Sequence, residues 1–310
     1  MTRRLEVAAS DGVPLAVYVD GEADAANTDV RNTGAPKTDV PSTVLAVHGY
    51  PDNASMWQGV AELLAGSHRV VRYDVRGSGQ SGAPSGRHGY RLDQLADDAR
   101  AVLDEVAPGH PVHLLGHDWG SVQGWYFLSS PQLTGRIASF TSISGPSLDH
   151  VRPWLLGQLR AGRPMPVLRQ LAHSSYIPFF LLPVLPELAW RSGLLDRLLG
   201  SPRGGQRQLS ARQLPDRQLP DKLHGLQLYR ANLLGRPARP QPIEIPVQVL
   251  APSRDSFVGS QLQLEAPAEF VRRFSGLTVD AGHWLPATRP EVVAEAVTAF
   301  IARVEADSSG

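Results

Sequence analysis

Residues 112–120 read Val-His-Leu-Leu-Gly-His-Asp-Trp-Gly. The apolar run Val112 to Leu115 stops at Gly116, and a helical pattern begins at Trp119. Gly116 and Gly120 flank Asp118 two positions to either side. A strand that turns sharply into a helix lifts its central side chain above the sheet, and flanking glycines remove the Cβ atoms that would clash there. An aspartate at such an elbow can attack an electrophilic carbon and form an ester. Aspartate is also a favoured helix N-cap, and the stretch alone does not separate the two roles.

Further buried-strand runs lie on either side of this elbow: Thr43–Val47, Arg69–Tyr73, Ile137–Ile143, Val247–Leu250 and Leu277–Val279. Continuous apolar runs of this kind suit parallel strands covered on both faces. Helical patterns alternate with them at about 54–65, 92–106, 119–129, 262–273 and 289–305. Residues 4–9 and 14–19 alternate apolar and polar around Asp11-Gly12, which predicts a hairpin. The whole predicts an α/β fold with a mostly parallel, eight-stranded sheet flanked by helices. Between 146 and 240 the alternation lapses after the sixth strand. Short helical pieces (Leu155–Arg160, Leu188–Leu199, Leu223–Leu234) replace it, cut by Pro and Gly. The expected organisation is a core over 1–145 and 241–310 with a helical insertion at 146–240. Residues 20–42, rich in Asp, Ala, Asn, Thr, Gly and Pro, read as a loop without periodicity.

The 310-residue chain carries 30 basic and 30 acidic side chains and no cysteine. No cysteine nucleophile, disulfide or thiolate metal site is available, and a zero charge balance argues against a nucleic-acid partner. The zero hides an asymmetry. Residues 151–240 hold thirteen Arg, one Lys and four acids, a net +10 against −10 for the remainder. Solvated arginines with attraction between the two parts account for this; so does a basic entrance for acidic or amphipathic substrates. The N-terminus shows no apolar signal segment and no run reaches the length of a membrane span, so a cytoplasmic location is expected.

Two further side chains stand where open α/β sheets keep their chemistry, at the carboxyl ends of strands. Asp255 follows the run Val247–Leu250, and His283 follows Leu277–Val279. The order nucleophile, acid, histidine is that of Asp118, Asp255 and His283. His48-Gly49-Tyr50-Pro51 follows another strand, and N–H groups in such a turn can hold a developing oxyanion. Other features read as structural. Gly77-Ser-Gly-Gln-Ser-Gly82 fits a dinucleotide fingerprint, with Asp97 near the ribose spacing, but no helix opens after it. His110, His113 and His117 alternate faces and lack carboxylates, so no metal is expected. Ser121 lies one turn inside the helix.

On these residues the chain resembles an α/β-hydrolase of the epoxide hydrolase branch. The resemblance rests on His48–Pro51, the Asp74-Val-Arg-Gly-Ser-Gly-Gln-Ser81 segment, the Asp118-Trp119 elbow, Asp255 and His283, and it covers residues 43 to 286. It makes the insertion a cap domain. It implies two cap tyrosines that bind and protonate an epoxide oxygen. Tyr176, in Tyr176-Ile-Pro-Phe-Phe180, and Tyr229, in Tyr229-Arg-Ala-Asn232, fit those patterns. The implied reaction needs no cofactor: Asp118 opens the epoxide to an ester, and His283, oriented by Asp255, activates the water that releases a vicinal diol. Backbone N–H groups of Tyr50 and Trp119 would hold the oxyanion. The partners are a small epoxide and water; the state, monomer or homodimer, is left open. The chain departs from the branch at Leu181, where Gln is common. Haloalkane dehalogenases share the Asp-Trp elbow but often have Asn where Tyr50 stands, and haloacetate dehalogenases usually have Arg where Trp119 stands. Both remain alternatives, as does a non-catalytic ligand-binding relative.

Overall fold

Eight strands form one sheet in the order β1-β2-β4-β3-β5-β6-β7-β8. They are β1 Arg3–Ala8, β2 Pro14–Asp20, β3 Thr43–Val47, β4 Arg69–Tyr73, β5 Val112–His117, β6 Ile137–Ile143, β7 Val247–Arg254 and β8 Phe274–Gly282. The computed structural model describes residues 2–21, 41–199, 217–234 and 240–308. Most of the loop expected at 20–42 and parts of the insertion lie outside them. Strands β3 to β8 pair in parallel, and β2 runs antiparallel to both β1 and β4. The β1–β2 hairpin turns at Gly12, whose φ of 82° suits a residue without a Cβ.

The helices between the early strands are α1 Gln58–Leu64, α2 Leu92–Val106 and α3 Trp119–Phe127. After β6 follow α4 Leu148–Arg160, α5 Pro164–His173, α6 Ile177–Leu181, α7 Leu185–Arg191, α8 Leu194–Leu199 and α9 Leu219–Asn232. The chain then returns to the sheet with α10 Ser260–Ala268, α11 Leu285–Thr288 and α12 Pro290–Ser308. The period-two alternation of strand side chains divides the core. Val44 and Ala46 face α1 and α12 through Val60, Leu64, Val293 and Val297. Leu45 and Val47 face the opposite layer with α2 and α3. A sheet covered on both faces explains why the central strands are apolar without interruption.

The inserted helices share this second layer. Phe180, Trp190, Leu226 and Tyr229 are buried in the same apolar core as Val47, Tyr50 and Trp119. Trp154 of α4 packs on Val258, Leu262 and Ala266 next to β7. Among the described residues no helix is long and apolar enough to cross a membrane.

Candidate active site

At the end of β5 the backbone makes the turn that Gly116 and Gly120 foreshadow. Asp118 sits at φ 50°, ψ −120°, a strained conformation for a residue with a Cβ. A Cβ on Gly120 would run into the carbonyl oxygens of Val47 and His48, so β3 can approach α3 only because that atom is missing. The turn therefore wedges Asp118 between the ends of β3, β5 and β6, where its amide donates to Ile143 O. Its side chain makes no capping bond to α3.

The carboxylate faces inward instead. Tyr50 N–H donates to Asp118 Oδ1 at 2.7 Å, and the Trp119 N–H also supports the ionised form. Of the two amides expected to hold an oxyanion, that of Tyr50 is hydrogen-bonded to this side chain and that of Trp119 lies next to it in the chain. His283 Nε2 stands 3.7 Å from Asp118 Oδ2. On the other edge of the ring, His283 Nδ1 lies 3.0 and 3.1 Å from the two Asp255 oxygens. Asp255 is fixed in turn by the N–H groups of Phe257 at 2.8 Å and Val258 at 3.1 Å. The three side chains that the sequence spreads over more than half its length therefore converge, and all are buried.

Their ionisation follows from this setting. Burial raises the Asp118 carboxyl to about 6, partly offset by the charge of His283 and the two amides. For Asp255, burial pushes upward, but the charge and hydrogen bond of His283 outweigh it and the carboxyl titrates below its ordinary value. Burial pulls His283 down, and the negative charge of Asp255 outweighs that, leaving the imidazole above its ordinary value. His117 contrasts with it. Burial lowers it to about 3, and its Nε2 bonds to the His283 carbonyl at 2.9 Å. A carbonyl only accepts, so Nε2 carries the proton and His117 is a neutral tie between the β5 elbow and the His283 loop.

The two tyrosines come from separate helices and meet over Asp118. Tyr176 precedes α6, Tyr229 lies on α9, and their ring centroids are 6.1 Å apart. Tyr229 packs edge-on against Trp119 at 4.9 Å and Tyr50 at 5.5 Å. Burial raises both hydroxyls well above the ordinary tyrosine value, and the Asp118 charge adds to this, so both stay protonated at neutral pH. Asp118, Tyr176, Tyr229 and Phe257 line two cavities, of about 720 Å³ and 430 Å³. The smaller one has walls of Phe179, Phe180, Leu195 and Trp284.

Some residues here carry no pattern in the sequence. Phe257 packs on His283 at 4.7 Å and on Tyr176 at 5.3 Å, and only its position two after Asp255 hints at that. Buried Asp52 accepts from Trp284 Nε1 at 3.0 Å and pairs with Arg217 Nε at 2.5 Å. The Gly77–Gly82 turn receives α9: Gly79 N–H donates to Asp221 at 2.7 Å, and His224 Nδ1 bonds Gly77 O at 2.9 Å. Ser121 is structural as read, donating to Gly145 O at 2.8 Å. No group of His, Asp or Glu able to hold a metal occurs among the described residues.

Comparison with known proteins agrees with this architecture. Residues 42–290 match the alpha/beta hydrolase fold family. The chain is 36% identical over 300 residues to the probable oxidoreductase EphD of Mycobacterium tuberculosis, which covers 94% of this chain and 48% of that protein. It thus spans about half the length of that relative. It is 27% identical over 273 residues to epoxide hydrolase 4 of Homo sapiens, covering 83% and 72% of the two chains. A Bacillus megaterium epoxide hydrolase solved with an inhibitor superposes with a TM-score of 0.75 at 21% identity, covering 97% of this chain and all of that one. By its matched residues, its sheet and its strand-to-helix elbow, the chain belongs to the alpha/beta hydrolase fold family.

Proposed function

We propose that the protein hydrolyses epoxides to vicinal diols through an ester on Asp118. The observation that carries this reading is the joint placement of a carboxylate at the elbow, a histidine nitrogen 3.7 Å away and two protonated tyrosines on the same cavity wall. Serine-type acyl transfer has no nucleophile here, because position 118 is a carboxylate. A carboxylate attacks saturated carbon, and its ester is a resting point that water can then cleave. The human and bacterial relatives named as epoxide hydrolases support the same choice.

In the first step Asp118 attacks a ring carbon, the ring C–O bond breaks, and the departing oxygen takes a proton from Tyr176 or Tyr229. Ring strain drives the step, and the hydroxyls answer the poor alkoxide leaving group. In the second step His283 Nε2 takes a proton from water as its oxygen adds to the ester carbonyl. The Tyr50 amide, which already bonds the carboxylate, and the Trp119 amide beside it hold the oxyanion that forms at that carbon. Collapse expels the diol oxygen, which recovers the proton from His283. The proton left on the new carboxyl returns to the tyrosinate, so epoxide plus water gives diol and the enzyme is restored. Asp255 keeps the histidine ring aligned and supports its positive form.

The Gly77–Gly82 turn is occupied by contacts to α9, which removes it from consideration as a nucleotide loop. The test is turnover of styrene oxide in ¹⁸O-water, with mass spectrometry of the Asp118 peptide. The expected result is diol and gradual ¹⁸O incorporation into Asp118. Diol without label in that peptide, or halide release from a haloalkane in place of diol formation, would overturn the reading. Tyr176→Phe and Tyr229→Phe should each lower kcat by roughly 10- to 100-fold, and together abolish ester formation.

A further inference from the structure

Of the fifteen large apolar side chains that stand exposed among the described residues, thirteen fall between 146 and 240. Six of them lie within the short stretch from the end of α6 to α8. Leu182, Val184, Leu185, Leu188, Leu194 and Leu198 are each between 43% and 61% exposed. Leu185 and Leu188 share one side of α7, and Leu194 and Leu198 one side of α8, by their spacings of three and four. The two helices pack together. Exposed apolar groups scattered singly need no explanation, but a concentration such as this one marks a surface that meets something.

The turn that enters α7 adds a second observation. Val184 holds a φ of 68°, and a β-branched side chain is costly there. Its side chain points outward, at 61% exposure.

The charges beside the patch choose the partner. Arg191 and Arg197 stand exposed on α7 and α8 themselves. The acids of α7 and α8 are already engaged, Glu187 with Arg230 and Asp196 with Lys222. The exposed Arg191 and Arg197 therefore face no carboxylate of these two helices that is not already paired, and their charge stands beside the exposed leucines. Exposed leucines interleaved with two exposed arginines fit the interface of an anionic bilayer, with apolar groups at the acyl boundary and guanidinium groups at the phosphates. Leu194 and Leu198 also line the smaller cavity that ends at Asp118, so the patch is continuous with the site.

We propose that the α7–α8 face docks on the surface of an anionic membrane, with the cavity mouth turned toward the lipid. A lipophilic substrate would then pass from the bilayer along Leu194 and Leu198 to Asp118 without crossing water. The docking itself is independent of the reaction the site performs. The experiment is co-sedimentation of the protein with phosphatidylglycerol/phosphatidylcholine vesicles and with phosphatidylcholine vesicles alone. The anionic vesicles should bind at least about tenfold more strongly, and rising salt should weaken the binding. Leu185→Ser with Leu188→Ser should reduce binding by roughly tenfold, since each exposed leucine contributes apolar area to the lipid contact. Neither position lines the cavity, so hydrolysis of a water-soluble epoxide should be unchanged. Arg191→Glu with Arg197→Glu changes only exposed charge and should lose the preference for anionic vesicles. Absence of binding to the anionic vesicles, binding indifferent to both double variants, or a dimer that the leucine variant dissociates would each overturn the proposal.

Discussion

Asp118 pays for its position twice, in backbone strain at φ 50° and in burial that raises its carboxyl from 3.8 to about 6. A buried acid whose folded value is raised binds protons more readily in the folded state than in the unfolded one. Its ionisation therefore costs stability as pH climbs from 3.8 to about 6, and the cost is constant above that. Asp118→Asn should abolish turnover and at the same time raise unfolding free energy by up to ~3 kcal/mol at pH 7. The gain should vanish near pH 4. Urea titrations at the two values check it, and an equal gain at both would contradict the burial account. His283→Gln should leave the first step intact and give a single-equivalent burst with Asp118 alkylated. The pH–rate profile follows from the same groups. The proposed reaction needs Asp118 ionised and His283 neutral, so kcat should fall on the acid side with an apparent value at or above the ordinary histidine value, because Asp255 raises His283. On the alkaline side no loss is expected below about pH 10, since both tyrosines titrate above their ordinary value.

At the scale of elements, legibility depended on whether a residue's role is written in its neighbours. The strands were legible because a sheet buried on both faces demands uninterrupted apolar runs, and the elbow because its glycines are forced by contact. Gly120→Ala puts a Cβ against β3 backbone that cannot give way, and should cost about 3 kcal/mol in chemical unfolding. Alanine at Gly157, which meets nothing, is the control. Helix α5 was hidden because Pro164 and Pro166 read as breakers, yet Pro at the first turn of a helix removes no needed donor. Strands β7 and β8 run longer than their apolar segments, because Ala251, Pro252 and Arg254 go on pairing with β8 after the apolar pattern has ended. Asp118, Asp255 and His283 could be placed from order and strand ends alone. Phe257, Asp52 and Trp284 could not: their value lies in contacts with distant segments, which no local spacing encodes. The tyrosines were legible through resemblance only, since aromatic residues in an inserted helix are indistinguishable from packing.

For the molecule as a whole, the contact between insertion and sheet layer decides behaviour. Asp52 and Arg217 form one of its buried pairs. The Arg217 charge, added to its hydrogen bond, overcomes burial and holds the Asp52 carboxyl low. Arg217→Leu leaves that carboxylate inside the protein without a counter-charge and should cost about 3 kcal/mol. Asp52→Asn in the same chain should recover most of this, because no uncompensated charge remains. Thermal unfolding of the two variants at pH 7 distinguishes a lost charge balance from a lost packing contact.

Tyr50 ties this large-scale contact to the reacting centre. Its amide reaches Asp118, while its hydroxyl donates to the Lys222 carbonyl on α9 and accepts from the Trp190 indole on α7. The anion pocket and the seating of the inserted helices are thereby two readouts of one equilibrium. Thermodynamic reciprocity then applies: whatever fills the pocket with negative charge also holds α7 and α9 down, by the same free energy with which their seating tightens the pocket. A non-reacting anion bound at Asp118→Asn should slow hydrogen exchange at the amides of α9, which begins 101 positions further along the chain, and Tyr50→Phe should uncouple the two.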